Sequence, residues 1–334
     1  MDRGPHGPAG HRFHCCRRGP PCRSQQRPGL SGCARLRCGA RAILIRAFLC
    51  VVGALWLASC SAPSASDDQD WPDPSPALWE AIGPDDQRAF LFGTIHALPD
   101  GADWRTPALE RILADTDILL VEIGDLESRG RAASAFEQRA FDTGLPPLIE
   151  RVPVSERAQV IALAERAEVD PASLVHTETW AAALQLGNGL ACSDSANGVD
   201  RALIEQFDQV RALESYASQF DAFDTLPEGA QVALLLTIAE EQDCAAGQDR
   251  VRHWLTGDMD ALSASVERGF RGNAALREAL LARRNATFTE RLAQMHAEEP
   301  DETLLMAVGA GHMGGADGIP ALLAARDYTV RRIQ

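Results

Sequence analysis

Apolar residues along the chain fall into two kinds of run: short continuous ones cut off by glycine, and longer ones spaced by three and four. The clearest short run is Leu304-Leu305-Met306-Ala307-Val308, closed by Gly309-Ala310-Gly311-His312-Met313-Gly314-Gly315 and resumed at helical spacing through Ile319-Pro320-Ala321-Leu322-Leu323. It predicts a buried strand, a tight loop and a helix. Far upstream, Phe90-Leu91-Phe92 runs into Gly93-Thr94-Ile95-His96, so two strands each deliver a histidine by the same Gly-x-x-His step. Sites in α/β sheets gather where the carboxyl ends of strands open into loops, and two such ends can face one pocket.

The remaining strands read more simply. Residues 77–82 and 88–92, separated by Gly83-Pro84-Asp85-Asp86, predict a hairpin whose second strand leads to His96. Residues 117–123 predict a buried strand, residues 210–214 a short one, and the alternating 328–333 a strand at a sheet edge. Helical spacing covers 104–115, 129–143, 155–167, 178–190, 227–244, 249–255, 258–268 and 273–296, with a further helix after Gly198-Val199-Asp200. The expected fold class is α/β: a mixed sheet with strands from both ends of the domain (77–96, 118–123, 304–308, 328–333) and a large helical insertion between them.

Glu122 interrupts Ile118-Leu119-Leu120-Val121, and Leu120, which shares its face by period two, is apolar. A carboxylate there is costly to bury unless paired, bonded to a cation or protonated, so Glu122 reads as functional. Arg283-Arg284-Asn285 places charge and amide in a helix otherwise carried by Leu280, Leu281, Phe288 and Leu292, the usual pattern of a solvated face. His176 and Trp180 read as packing or surface residues, and His253 and His296 as exposed helix positions.

Charge changes the picture at the amino end. The 334 residues contain no lysine; residues 1–59 hold ten arginines and one aspartate, while the chain from Cys60 onward holds 22 arginines against 46 acids, a net −24. That balance excludes nucleic acid as a partner. Residues 1–40, rich in Gly, Pro, Arg and Cys, have no core-forming pattern and read as disordered or as a mis-assigned start. Residues 41–59 pair a positive flank with an apolar run ending in small residues, a secretory signal. Leu57-Ala58-Ser59-Cys60 resembles the lipobox of bacterial lipoproteins, which implies lipidation of Cys60, a membrane anchor, and residues 60–76 as a flexible tether before a domain at 77–334. The absence of Asp after Cys60 implies, by the same resemblance, a periplasm-exposed lipoprotein of the outer membrane. In that oxidising compartment Cys192 and Cys244 are expected to form a disulfide, two buried free thiols being the alternative.

Taken in order, Leu91-Phe92-Gly93-Thr94-Ile95-His96, Val121-Glu122, Gly198-Val199-Asp200, Leu213-Glu214, Trp254 with Gly257-Asp258, Arg284-Asn285 and Val308-Gly309-Ala310-Gly311-His312 resemble the TraB/PrgY/GumN family over residues 77–334. Its animal relatives, the Tiki proteins, are described as metal-dependent proteases, and its fold is similar to erythromycin esterases and haem-binding ChaN proteins. The resemblance implies His96, Glu122 and His312 as site residues, with Arg284 and Asn285 beside them. No His-Glu-x-x-His is present, which excludes a zincin helix.

On that reading His96, Glu122 and His312 would ligate a divalent ion, Mn²⁺, Co²⁺ or Zn²⁺, and leave a position for water. Glu122 would ligate or act as base, while Arg284 and Asn285 would orient a peptide or small-molecule substrate or meet developing negative charge. Two alternatives stand beside this metal-dependent hydrolase or peptidase: a metal-free, esterase-like hydrolase, and a non-catalytic envelope lipoprotein binding haem or another ligand.

Overall fold

The computed structural model describes residues 70–188, 193, 195–240 and 244–334. The expected leader, Cys60 and Cys192 lie outside the described residues, and with them the lipid anchor and the Cys192–Cys244 pairing.

Six strands, β1 (Leu78–Ile82), β2 (Arg88–Thr94), β3 (Ile118–Val121), β4 (Val210–Ala212), β5 (Leu304–Gly309) and β6 (Thr329–Arg332), form one mixed sheet in the order β4-β3-β5-β2-β1-β6. β2, β5, β3 and β4 run parallel, with Phe90 opposite Leu305 and Leu119 opposite both Leu305 and Val210; β1 is antiparallel to β2 and β6. The four parallel strands therefore end on the same edge. The apolar runs of β2, β3 and β5 follow from burial on both faces, whereas β4, Val210-Arg211-Ala212, is an exposed edge strand.

Among helices of six residues or more, α1 (Pro107–Asp115), α2 (Arg129–Glu137), α3 (Arg157–Arg166), α4 (Thr179–Asn188), α5 (Val199–Ile204), α6 (Tyr216–Asp224), α7 (Glu228–Glu240), α8 (Cys244–Leu255), α9 (Met259–Gly269), α10 (Arg283–Glu298) and α11 (Ile319–Ala324) surround the sheet or fill the insertion. Period-two alternation splits the strands between two cores. Phe90, Phe92, Leu119 and Leu305 pack with Leu109, Leu113 and Trp254 of α1 and α8. Leu91, Leu120, Leu304 and Met306 pack with Phe288, Leu292 and Leu323 of α10 and α11 on the other face. A separate aromatic cluster of Phe136, Trp180, Phe220 and Phe223 ties α2, α4 and α6 together, which places Trp180 wholly inside.

Local chemistry explains where the elements depart from expectation. The helix at 129 stops at Glu137 because the chain turns to pair Phe141 with Thr177. The stretch 273–296 is not one regular α-helix: a capped turn at Ala274–Arg277 passes into a π-helical segment, Glu278–Ala282, before α10. Each residue of an α-helix advances about 100°, so a wider π turn re-aims everything after it, including Arg284 and Asn285. His296, expected on a surface, is buried and stacked on Tyr328, whose hydroxyl lies 3.0 Å from its Nδ1. The chain also begins to pack before residue 77: Trp71 lies under the Arg252 guanidinium, and the Ser75 amide donates to the Leu255 carbonyl at 2.6 Å.

Candidate functional site

Four ionisable side chains lie just past the ends of the four parallel strands. His96 follows β2 by two residues, Glu122 follows β3 by one, Glu214 follows β4 by two, and His312 follows β5 by three. Glu122 is thus not an interruption of the sheet face but the first residue beyond it. His96, Glu122 and His312 line one cavity of about 120 Å³ with Arg284, Gln219 and Phe223.

His96 is held from beneath by Asp200 of α5, whose Oδ2 lies 2.9 Å from Nδ1, while Thr94 Oγ1 donates to Oδ1 of the same carboxylate at 2.7 Å. An ionised carboxylate only accepts, so Nδ1 carries the proton and Nε2 is the basic nitrogen. Gly198 makes the approach possible. A Cβ there would lie 2.3 Å from the His96 carbonyl oxygen, and without one the Val199 amide donates to the Ile95 carbonyl at 3.1 Å. Trp254 Nε1–H, donating to the Gly93 carbonyl at 2.7 Å, fixes the other side of the turn.

His312 sits in a 3₁₀ turn, Ala310–Met313, and is held by an amide instead. Asn285 Nδ2 donates to the Asp317 carbonyl at 2.8 Å, which turns its Oδ1 to within 2.5 Å of His312 Nδ1. His312 therefore also carries its proton on Nδ1, with Nε2 3.3 Å from Arg284 Nη1 and 3.6 Å from Glu122 Oε1. Behind this, Arg277 grips Asp317 with both terminal nitrogens, at 2.6 and 2.9 Å.

Arg284 is the hub. Its Nη2 donates to Glu122 Oε2 and Glu214 Oε1, both at 2.5 Å, its Nε donates to Glu214 Oε2 at 3.2 Å, and its Nη1 reaches the Leu280 carbonyl at 3.2 Å as well as His312. All five guanidinium N–H groups are engaged within the protein. Asn285 is fully buried. Arg284 and Asn285, expected to meet substrate, hold the carboxylates and His312 in place.

Glu122 accepts the Gly309 amide at 2.8 Å on Oε1. A Cβ on Gly309 would stand 3.3 Å from both that oxygen and His96 Nε2, so the two functional atoms converge over a bare backbone.

The electrostatics separate these groups. Burial disfavours a charged His96, but Asp200 and its hydrogen bond, helped by Glu122, outweigh it and raise the pKa above the ordinary imidazole value. At His312 burial, aided by Arg284 and His96, overcomes the pull of Glu122 and lowers the pKa to about 4, so this imidazole is neutral at neutral pH. Burial would push Glu122 up, yet Arg284 first, then the two imidazoles and the Gly309 amide, hold it well below the usual carboxylate range. Glu214 goes the other way, raised because burial and Glu122 outweigh Arg284 and Gln219.

His96, Glu122 and His312 come together, but among the described residues no group of three or more His, Cys, Asp or Glu is arranged to hold a metal ion. Asp200 and Glu214, present in the sequence only as parts of short motifs, complete the site. Glu214 shares the strand-end position that marks His96, a signal readable in sequence. The pairing of Asp200 with His96 had no local signal.

No curated protein and no solved structure matches the chain. The model of the TraB/PrgY/gumN family matches residues 77–332, most of the chain and all six strands, and the chain belongs to that family.

Proposed function

We propose that the domain is a hydrolase in which His96, acting in its deprotonated form and oriented by Asp200, takes a proton from water as it attacks an acyl carbon. The observation that carries this reading is the meeting of the His96–Asp200 pair with Glu122 in a small cavity at the carboxyl ends of the parallel strands. The water oxygen forms the new bond to carbon, its proton passes to His96 Nε2, and His96 returns it to the departing oxygen or nitrogen as that bond breaks. Glu122 Oε1, beside His96 Nε2, orients the water through its second hydrogen. The 120 Å³ cavity, well below the roughly 300 Å³ at which sites begin to enclose a drug-sized ligand, takes the reacting group alone.

The metal-dependent reading draws support from one feature: both imidazoles have Nδ1 held by an acceptor and Nε2 turned inward, as metal-bound histidines do. The donor set does not fit an ion as packed. A permanently charged guanidinium stands 2.5 Å from Glu122 and 3.3 Å from His312 Nε2, where it repels a dication. Hydrolysis of p-nitrophenyl acetate by purified protein, before and after chelation and with metal content measured, separates the two. Activity that survives chelation and is lost in His96→Asn supports the proposal; activity that returns only with added Zn²⁺, Mn²⁺ or Co²⁺ overturns it.

The chain context is also a proposal. Leu57-Ala58-Ser59-Cys60 and the charge step at that point support export, lipidation at Cys60 and display in the periplasm from the outer membrane, with a Cys192–Cys244 disulfide. Palmitate labelling lost in Cys60→Ser tests the anchor.

A further inference from the structure

Beside the small cavity lies a much larger pocket of about 560 Å³, within the range that encloses a drug-sized ligand. Its wall begins at Ile123 and Gly124, one and two residues after Glu122, and includes Val210 and Ala212 of β4, Ala135 of α2 and Ala217 of α6. Glu214 lines it too, and is bonded to Arg284 of the small cavity. Gly124, Ala135, Ala212 and Ala217 leave room in it that larger side chains would take.

The charges in this wall are already matched. Asp125 pairs with Arg131, Arg139 donates to Asp221 at 2.5 Å, and Glu214 is held by Arg284. The neutral polar groups are engaged as well: Tyr216 Oη donates to the Asp125 carbonyl at 3.0 Å, and Gln138 Nε2 to Ser134 Oγ at 3.0 Å. An ionic ligand would meet no unmatched partner here, and the protein's excess of acids disfavours an anion further.

We propose, resting on the hydrolytic reading above, that this pocket is the subsite for the substrate's non-reacting part, and that this part is uncharged and largely apolar. The substrates are then neutral esters or amides with an apolar body rather than phosphoesters or free carboxylates.

The test uses the whole protein, a neutral dye, Nile red, and two variants that fill the pocket from different elements, Ala135→Trp and Ala212→Phe. Each methylene entering an apolar pocket tightens binding about fourfold, so KM falls from p-nitrophenyl acetate to butanoate to octanoate in the wild type. In either filled variant that series flattens and dye binding weakens about tenfold or more, while octanoate turnover falls further than acetate turnover. Methyl laurate displaces the dye and laurate does not. Dye binding and chain-length dependence that survive in both variants overturn the subsite, and displacement by laurate as readily as by its methyl ester overturns the preference for a neutral body. A wild type that binds dye in this pocket yet hydrolyses none of the esters, acetate included, refutes the hydrolytic reading and with it the role of subsite.

Discussion

His96 and His312 arrive by the same Gly-x-x-His step from neighbouring parallel strands, and their environments then drive them apart. His96, a third exposed, rests on a carboxylate and is raised; His312, nearly buried, rests on an amide and is lowered to about 4. The lesson is that the partner of Nδ1, not the motif, decides what a histidine can do. A carboxylate stabilises the imidazolium that a general base becomes, whereas an amide fixes orientation and leaves the ring neutral. On the proposed hydrolytic reading one turn builds a base, the other a wall.

The sharpest way to break the contrast is to remove the cation that stands among all these groups. Arg284→Met leaves Glu122 and Glu214 buried without their partner, and the expected loss is about 3–5 kcal/mol of unfolding free energy at neutral pH. Denaturant titrations check this, and the loss shrinks as the carboxylates protonate in acid.

Next in size, the two histidines should fail differently. His96→Asn is expected to lower kcat by about 10²–10⁴-fold with little change in stability, because the ring is partly exposed and its proposed role is proton transfer. His312→Ala is expected to destabilise by about 1–3 kcal/mol, since it orphans the Asn285 oxygen inside the protein. Equal kinetic losses with equal stability losses would erase the distinction.

Their pH responses have opposite signs. A base works deprotonated, so the acid limb of kcat/KM lies above the ordinary imidazole value of 6.5, and Asp200→Asn moves it down by leaving only Glu122 to oppose burial. His312 has its pKa depressed in the fold, so its contribution to stability is present above pH 6.5 and lost as pH falls toward 4, about 3 kcal/mol in all. His96, raised in the fold, contributes in the other direction, gaining as pH falls through its folded pKa. Thermal unfolding of His312→Gln across pH 4–7 isolates the first effect: the acid loss seen in the wild type should be flatter.

How much of this was readable in the chain follows the range of the interactions. The sheet was legible because strands buried on both faces must be apolar runs, and because Gly83-Pro84-Asp85-Asp86 is local turn chemistry. His96 and His312 were legible from their Gly-x-x-His steps and Glu122 as an acid closing an apolar run. Asp200 was not, since its value depends on Gly198 letting α5 press against the His96 turn more than 100 residues away. Arg284 and Asn285 carried a resemblance but looked like a solvated stripe, because the π segment that turns them inward has no compositional mark. The donor count of Arg284 is a property of geometry alone.

The smallest effect concerns the chain of contacts that makes His312 a wall. Arg277 lies before the π segment and holds Asp317, the Asp317 carbonyl fixes the Asn285 amide, and Asn285 fixes the His312 tautomer. Arg277 also bonds Glu267 at 2.8 Å and is partly exposed, so most of its charge pairing is screened. Arg277→Met should therefore cost about 1 kcal/mol or less in stability. A purely structural bond would end there. If the relay positions the site, the same variant loosens His312, and the ring's nitrogen chemical shifts move from the Nδ1–H tautomer toward a mixture while KM stays fixed and kcat falls by about threefold, roughly 0.6 kcal/mol. Unchanged nitrogen shifts with an unchanged kcat would confine Arg277 to holding the 313–318 turn, and His312 would owe its orientation to Asn285 and the packing of Phe288 at 5.4 Å alone.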